Sequence, residues 1–162
     1  GDKTWIAATF TGTAHALRRD LFLQLGGYRE HLIHQGEEPD YCIRLLAAGY
    51  VVRLGNADLI EHHESPKRDL KRMDFYGCRN AVLFAWQNVP MPYLPVYLLA
   101  TTFNCLRWSF APRRFAGRLH GILAGYGDCL RALRAPVAIA VYRQWRRLKK
   151  AGAMPLDSVS SD

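Results

Sequence analysis

Gly36-Glu37-Glu38-Pro39-Asp40-Tyr41-Cys42-Ile43-Arg44-Leu45-Leu46-Ala47-Ala48-Gly49-Tyr50 is the stretch around which the chain is organised. Three carboxylates fall within four positions, and a short helix follows. Pro39 has no N–H and a fixed φ, which suits the first helical position. Glu37 and Glu38 then lie at the positive end of the helix dipole. Ile43, Leu46 and Ala47, at i, i+3 and i+4, give the helix an apolar face. Gly49 ends it, being free to take the left-handed conformation. A helix start that favours anions keeps carboxylates ionised, so such a group can act as a general base or stand near a metal. Helix capping by acidic residues explains the same pattern, and the rest of the chain has to decide between the two.

A length of 162 residues fits one domain, or one domain and an appendage. A hydrophobic content of 49% is enough for a globular core. No apolar run reaches the roughly 18–20 residues that span a bilayer. The longest candidate, Met91 to Leu106, is broken by prolines and polar residues and stops at Arg107. Gly1-Asp2-Lys3-Thr4-Trp5 does not have the pattern of a secretory signal. Cys42, Cys78, Cys105 and Cys129 are far apart and form no Cys-x-x-Cys pair, so buried free thiols in a reducing compartment are expected. Charge is unevenly placed. Residues 1–106 hold eleven Lys/Arg and eleven Asp/Glu, whereas residues 107–150 hold eleven Lys/Arg against Asp128 alone, a net of +10. The chain therefore reads as a neutral, acid-bearing body followed by a basic, aromatic-rich appendage.

Trp5 to Leu17 is apolar and uncharged and predicts a buried strand broken at Gly12. Gly12 marks either a bulge or the close approach of a ligand to backbone. Arg18 to Leu25 predicts a helix stopped by Gly26-Gly27, and Tyr28 to Gln35 a polar loop. Tyr50 to Leu54 predicts a strand, Gly55 to Asp58 a turn, and Leu59 to His62 a further extended piece. Adjacent His62 and His63 would point to opposite faces of it. A histidine there is either structural or a metal or phosphate contact. Lys67 to Gln87 predicts a long helix bearing Arg79-Asn80 midway, its basic residues forming a solvated face or a diphosphate contact. Asn88 with Pro90, Pro92 and Pro95 marks the expected boundary, giving a body over residues 1–90, an appendage over 91–150 and a disordered tail over 151–162. The appendage predicts helices over about 95–110, 113–135 and 137–150, with aromatics interleaved among arginines. That pattern suits peripheral contact with an anionic membrane surface. A solvated basic bundle fits as well; nucleic acid is disfavoured because no recognition motif is present.

Thr-Gly-Thr-Ala-His-Ala-Leu-Arg-Arg-Asp from Thr11, then Gly-Glu-Glu-Pro-Asp-Tyr from Gly36, then Ala-Asp-Leu-Ile-Glu-His-His-Glu-Ser-Pro from Ala57, then Tyr-Gly-Cys-Arg-Asn from Tyr76, in this order, resemble family 2 glycosyltransferases over about residues 5–90. The resemblance implies an α/β fold, the C-terminal half of a GT-A-type nucleotide-sugar transferase domain, followed here by amphipathic basic helices. It implies an inverting enzyme moving a sugar from a nucleotide-sugar donor to a glycan or lipid-linked acceptor. Glu37-Glu38 stands where the family has Glu-Asp, and Asp40 where it has a later Asp. The base that deprotonates the acceptor then falls on Glu38, with one methylene more reach than the family's Asp. The same likeness implies His62, or His63, near a divalent Mg or Mn, and substrate contacts at Gly12, Thr13, Arg79 and Asn80. The family's donor-binding half would precede this region, and Asp-x-Asp occurs nowhere in the chain. The expectation is a fragment, a split gene product or a truncated chain, inactive alone, of a cytoplasmic enzyme at the inner face of the membrane. Asn104-Cys105-Leu106-Arg107-Trp108 is superficially like the Gln-x-x-Arg-Trp of processive synthases but lies too far past Glu38, so a non-processive enzyme is expected. The alternative is a non-enzymatic membrane-surface module or partner subunit derived from such an enzyme.

Overall fold

The structure, a computed structural model, describes residues 3–56, 61, 63, 67–107 and 112–158, with the side chains of 112 and 113 left aside. Its elements are β1 (Trp5–Ala7), α1 (Arg19–Gln24), α2 (Glu37–Ala47), β2 (Val52–Arg53), α3 (Leu70–Asn88), α4 (Leu94–Arg107), α5 (Pro112–Cys129), α6 (Ile139–Ala151) and β3 (Ala153–Pro155), with a 3₁₀ turn over Leu156–Ser158. They form two compact units.

The first unit takes Gly1–Tyr28, Glu38–Glu64 and Val137–Asp162. Its antiparallel sheet has the order β2-β1-β3. Ile6, fully buried, sits opposite Arg53 on one side and Met154 on the other. Pro155, which has no N–H to give a ladder, lies on an edge strand opposite Trp5. Helices α1 and α2 end alike. Gly26 (φ 75°) donates to the Leu23 carbonyl and Gly27 to that of Phe22. Gly49 (φ 84°) donates to Leu46 and Tyr50 to Leu45. Both are Schellman closures, which need a left-handed residue that glycine supplies without strain. Between them Leu21, Tyr41 and Leu45 make a core lined by Phe10, Phe22 and Tyr28. Tyr41 meets the rings of Phe22 and Tyr28 at 5.3 and 5.7 Å. Helix α6 buries Tyr142, Trp145 and Leu148 and delivers the chain to β3.

The second unit takes Arg29–Glu37 and Ser65–Pro136. Asp69 caps α3, its carboxylate accepting from the Arg72 N–H at 3.0 Å. Helices α4 and α5 pack on α3. Gly117, Gly121 and Gly125 repeat every fourth residue along α5 and let its backbone approach α3. A Cβ on Gly121 would collide with the Phe75 carbonyl, and one on Gly125 would lie 2.9 Å from the Arg79 carbonyl oxygen. Leu32, Val82, Leu83 and Cys129 form the core, backed by Trp86, Leu98 and Ala132.

This architecture corrects the expected fold class. The chain is 58% helix in six helices with one small three-stranded sheet among the described residues, and is not the α/β half of a GT-A domain. The physical reason lies in the first segment. Of the strand expected over Trp5 to Leu17, only Trp5–Ala7 finds ladder partners. By Thr11 the backbone has turned back on itself, with Ala14 N–H donating to the Thr11 carbonyl. Strands of two or three residues cannot make the layer an α/β fold needs. Helices α4 and α5 share a unit with α3, whereas α6 joins the unit of the sheet. The tail expected to be disordered carries β3, paired along β1.

Candidate catalytic carboxylates

In the first unit the carboxylates stand on the first turn of α2. Asp40 is fully buried, and Arg44 donates to it at 3.0 Å from one turn on. The same guanidinium donates to the carbonyls of Leu25 at 2.7 Å and Gly27 at 2.6 Å. Asp40 therefore holds the arginine that fastens the end of α1, a structural duty. Glu38 differs. It is half-buried and has no hydrogen bond or ion pair among the described residues. Its carboxylate Oε1 occupies the space a Cβ at Gly12 would take. Gly12 is thus a position of close approach, and what approaches is the Glu38 carboxylate.

Gly12 and Thr13 form the exposed tip of the turn closed by Ala14 N–H on the Thr11 carbonyl at 3.2 Å. His15 backs that turn. Its ring stacks on Phe10 at 4.3 Å, with Nδ1 3.2 Å from the Thr11 carbonyl and Nε2 3.2 Å from the Tyr28 hydroxyl. Sequence reasoning missed His15, although its place four residues after Thr11 in an uncharged tract was visible. Cys42 lies one turn beyond Glu38. Burial pushes its thiol up, with the Glu38 charge adding to the shift against hydrogen bonds from Phe10 and Thr9. It is a core thiol rather than a nucleophile.

In the second unit the loop before α2 is held by Asn80. This side chain is 1% exposed and its amide donates to the carbonyls of His34 at 3.0 Å and Gln35 at 2.6 Å. Gln35 takes φ 66°, unusual for a residue with a Cβ, and Gly36 takes φ 94°. Gly77 leaves room for the Gln35 side chain, whose Oε1 would lie 2.7 Å from a Cβ there. Arg79 donates to Asp128 at 2.7 Å, to the His31 carbonyl at 2.9 Å and to Asn80 Oδ1 at 2.9 Å. The Arg79-Asn80 pair implied as a substrate contact is engaged in fixing residues 31–35. Glu37, which ends this unit's first segment, has Oε2 buried without a hydrogen-bond partner among the described residues.

His63 pairs with Glu61 at 3.4 Å, both more than 80% exposed, and His62 lies outside the described residues. Among the described residues no three His, Cys, Asp or Glu converge on a possible metal position. Comparison of the chain with protein-family models, with curated proteins and with solved structures finds no match in any of the three.

Proposed function

We propose that the chain carries the base and acceptor side of an inverting, non-processive glycosyltransferase, which moves a sugar from a nucleotide-sugar donor to a glycan or lipid-linked acceptor. The observation that carries this is the contrast within one helical turn. Asp40 is bonded by Arg44, whereas Glu38 is half-buried, without a hydrogen bond or ion pair among the described residues, and set against the Gly12 backbone at an exposed turn. A carboxylate set at a helix N-terminus beside an exposed turn can accept a proton from a hydroxyl brought within hydrogen-bond reach. In the proposed step the acceptor hydroxyl oxygen bonds to the anomeric carbon of the donor sugar. The bond from that carbon to the diphosphate oxygen breaks, its electron pair leaves with the nucleoside diphosphate, and the hydroxyl proton passes to Glu38. All four cysteines are free, in keeping with a cytoplasmic setting at the inner face of the membrane.

The test is transfer of labelled sugar from a panel of nucleotide-sugars by the native gene product, with Glu38→Gln beside it. Glutamine keeps the size and removes the basicity. The expected loss is about 10²–10⁴-fold in rate, with an unchanged urea midpoint. Near-normal transfer by the variant would remove Glu38 as the base.

A further inference from the structure

The second unit turns a regular run of apolar side chains to solvent. Along α4, Val96, Leu99 and Phe103 share one face at i, i+3 and i+7 and are 70, 71 and 62% exposed. Along α5, Phe115, Leu119, Leu123 and Tyr126 repeat at i, i+4, i+8 and i+11, all exposed. Leu130 and Leu133, just past its end, are 91 and 90% exposed. The two stripes are neighbours, because Thr102 of α4 and Tyr126 of α5 share a hydrogen bond of 2.9 Å between their hydroxyls. The glycine side of α5 is already spent on α3, so this stripe is what remains after the helices have packed. Single exposed leucines need no explanation, but a periodic run over two adjacent helices marks an interaction surface.

Charge selects the occupant. Residues 91–136 hold Arg107, Arg113, Arg114, Arg118, Arg131 and Arg134 and one acid, Asp128, which Arg79 pairs, while Arg114 and Arg118 pair with Asp74 of α3. Arg107 continues the α4 stripe one turn past Phe103, its guanidinium 6.0 Å from the ring centroid. Exposed Arg131 stands between Leu130 and Leu133. A second copy laid on this face would set arginine against arginine. Anionic headgroups answer both features, with cations at the phosphate level and leucines at the acyl boundary. Among the described residues no helix is long and apolar enough to cross a membrane, so such contact is in-plane.

We propose that the α4–α5 face lies in the surface of an anionic phospholipid bilayer, inserting Val96, Leu99, Phe103 and Leu123, with Arg107 and Arg131 at headgroup depth. The inference does not rest on sugar transfer and is read without it. The experiment is flotation of the full chain with vesicles of phosphatidylcholine alone or with phosphatidylglycerol. The double variant Leu99→Gln/Leu123→Gln is run in parallel, and Leu130→Gln/Leu133→Gln, outside the helices, guards against a folding defect. Expected are binding to the anionic vesicles that weakens with salt, and a loss of at least tenfold in either double variant with unchanged circular dichroism. The proposal is overturned if the wild-type chain does not float, or if both folded variants float equally well. It is also overturned if the wild-type chain is a dimer without lipid that either variant dissociates, because the face is then a seam between copies.

Discussion

Among the described residues two helices carry buried acids, Asp40 on α2 and Asp74 on α3, and they use them differently. On α3, Asp74 receives three bonds of 2.9 Å, two from Arg114 and one from Arg118. On the first turn of α2, Asp40 has its arginine, while among the described residues Glu38 has no hydrogen bond or ion pair and Glu37 leaves one buried oxygen unpartnered. A carboxylate that ties helices together has its lone pairs filled. One without such partners keeps its oxygens open to a further donor. The difference teaches that acid content alone marks neither a site nor a core; occupancy of the lone pairs separates them.

The comparison breaks first if Asp74 is dispensable. Asp74→Ala strands two guanidiniums, of which Arg118 is 15% exposed and Arg114, at 41%, can turn to water. Because one partner is rescued by solvent, the expected loss is about 3 kcal/mol, the low end for a broken buried pair, measured by urea unfolding. The pH dependence has a definite sign. Arg114 bonds hold the Asp74 carboxyl below its ordinary value, opposed by burial and helped by Arg118. A depressed folded value contributes stability that is intact above the unfolded value, at about pH 4, and drains as pH falls through the folded one. Asp74→Asn should therefore flatten the acid limb of stability below that pH. An unchanged limb would mean the pair is not formed in solution.

Asp40→Asn is expected to cost less, about 1–2 kcal/mol. Arg44 keeps its bonds to the Leu25 and Gly27 carbonyls, and asparagine keeps one acceptor. Amide exchange at Gly26 and Gly27 should quicken before global unfolding, since these N–H groups close α1. A loss as large as that of Asp74→Ala would erase the distinction between a clamp within one helix and a pin between helices.

The local parts of this arrangement were legible in the sequence. Gly26-Gly27 and Gly49 announce the ends of α1 and α2, because a left-handed cap is a single-residue requirement. The non-local parts were not. Ala153-Met154-Pro155 has no strand signature of its own and becomes β3 only through β1, far away in sequence. The length of β1 depends on that partner, so an apolar tract from Trp5 to Leu17 promised more sheet than forms. The stripe Gly117, Gly121, Gly125 was a readable sign that α5 would press on α3, and was missed. Arg79 and Asn80 were legible as important residues, but their partners, Asp128 and the carbonyls of His31, His34 and Gln35, depend on loop geometry that spacing does not encode.

The smallest effect sharpens the comparison most. Glu37 Oε2 is buried and unpartnered, yet the residue as a whole is only half-buried. Removing an unsatisfied polar atom should stabilise, and the exposed remainder limits the gain. Glu37→Met, which keeps length and helix propensity, is expected to raise stability by about 0.5–1 kcal/mol. A matching loss of sugar transfer in the native gene product would show that the open carboxylate is kept for chemistry at the expense of stability. A gain in stability with transfer intact would leave Glu38 as the sole working acid of α2. Destabilisation instead would mean that Glu37 finds a partner in solution, and the contrast between filled and open carboxylates would then rest on Glu38 alone.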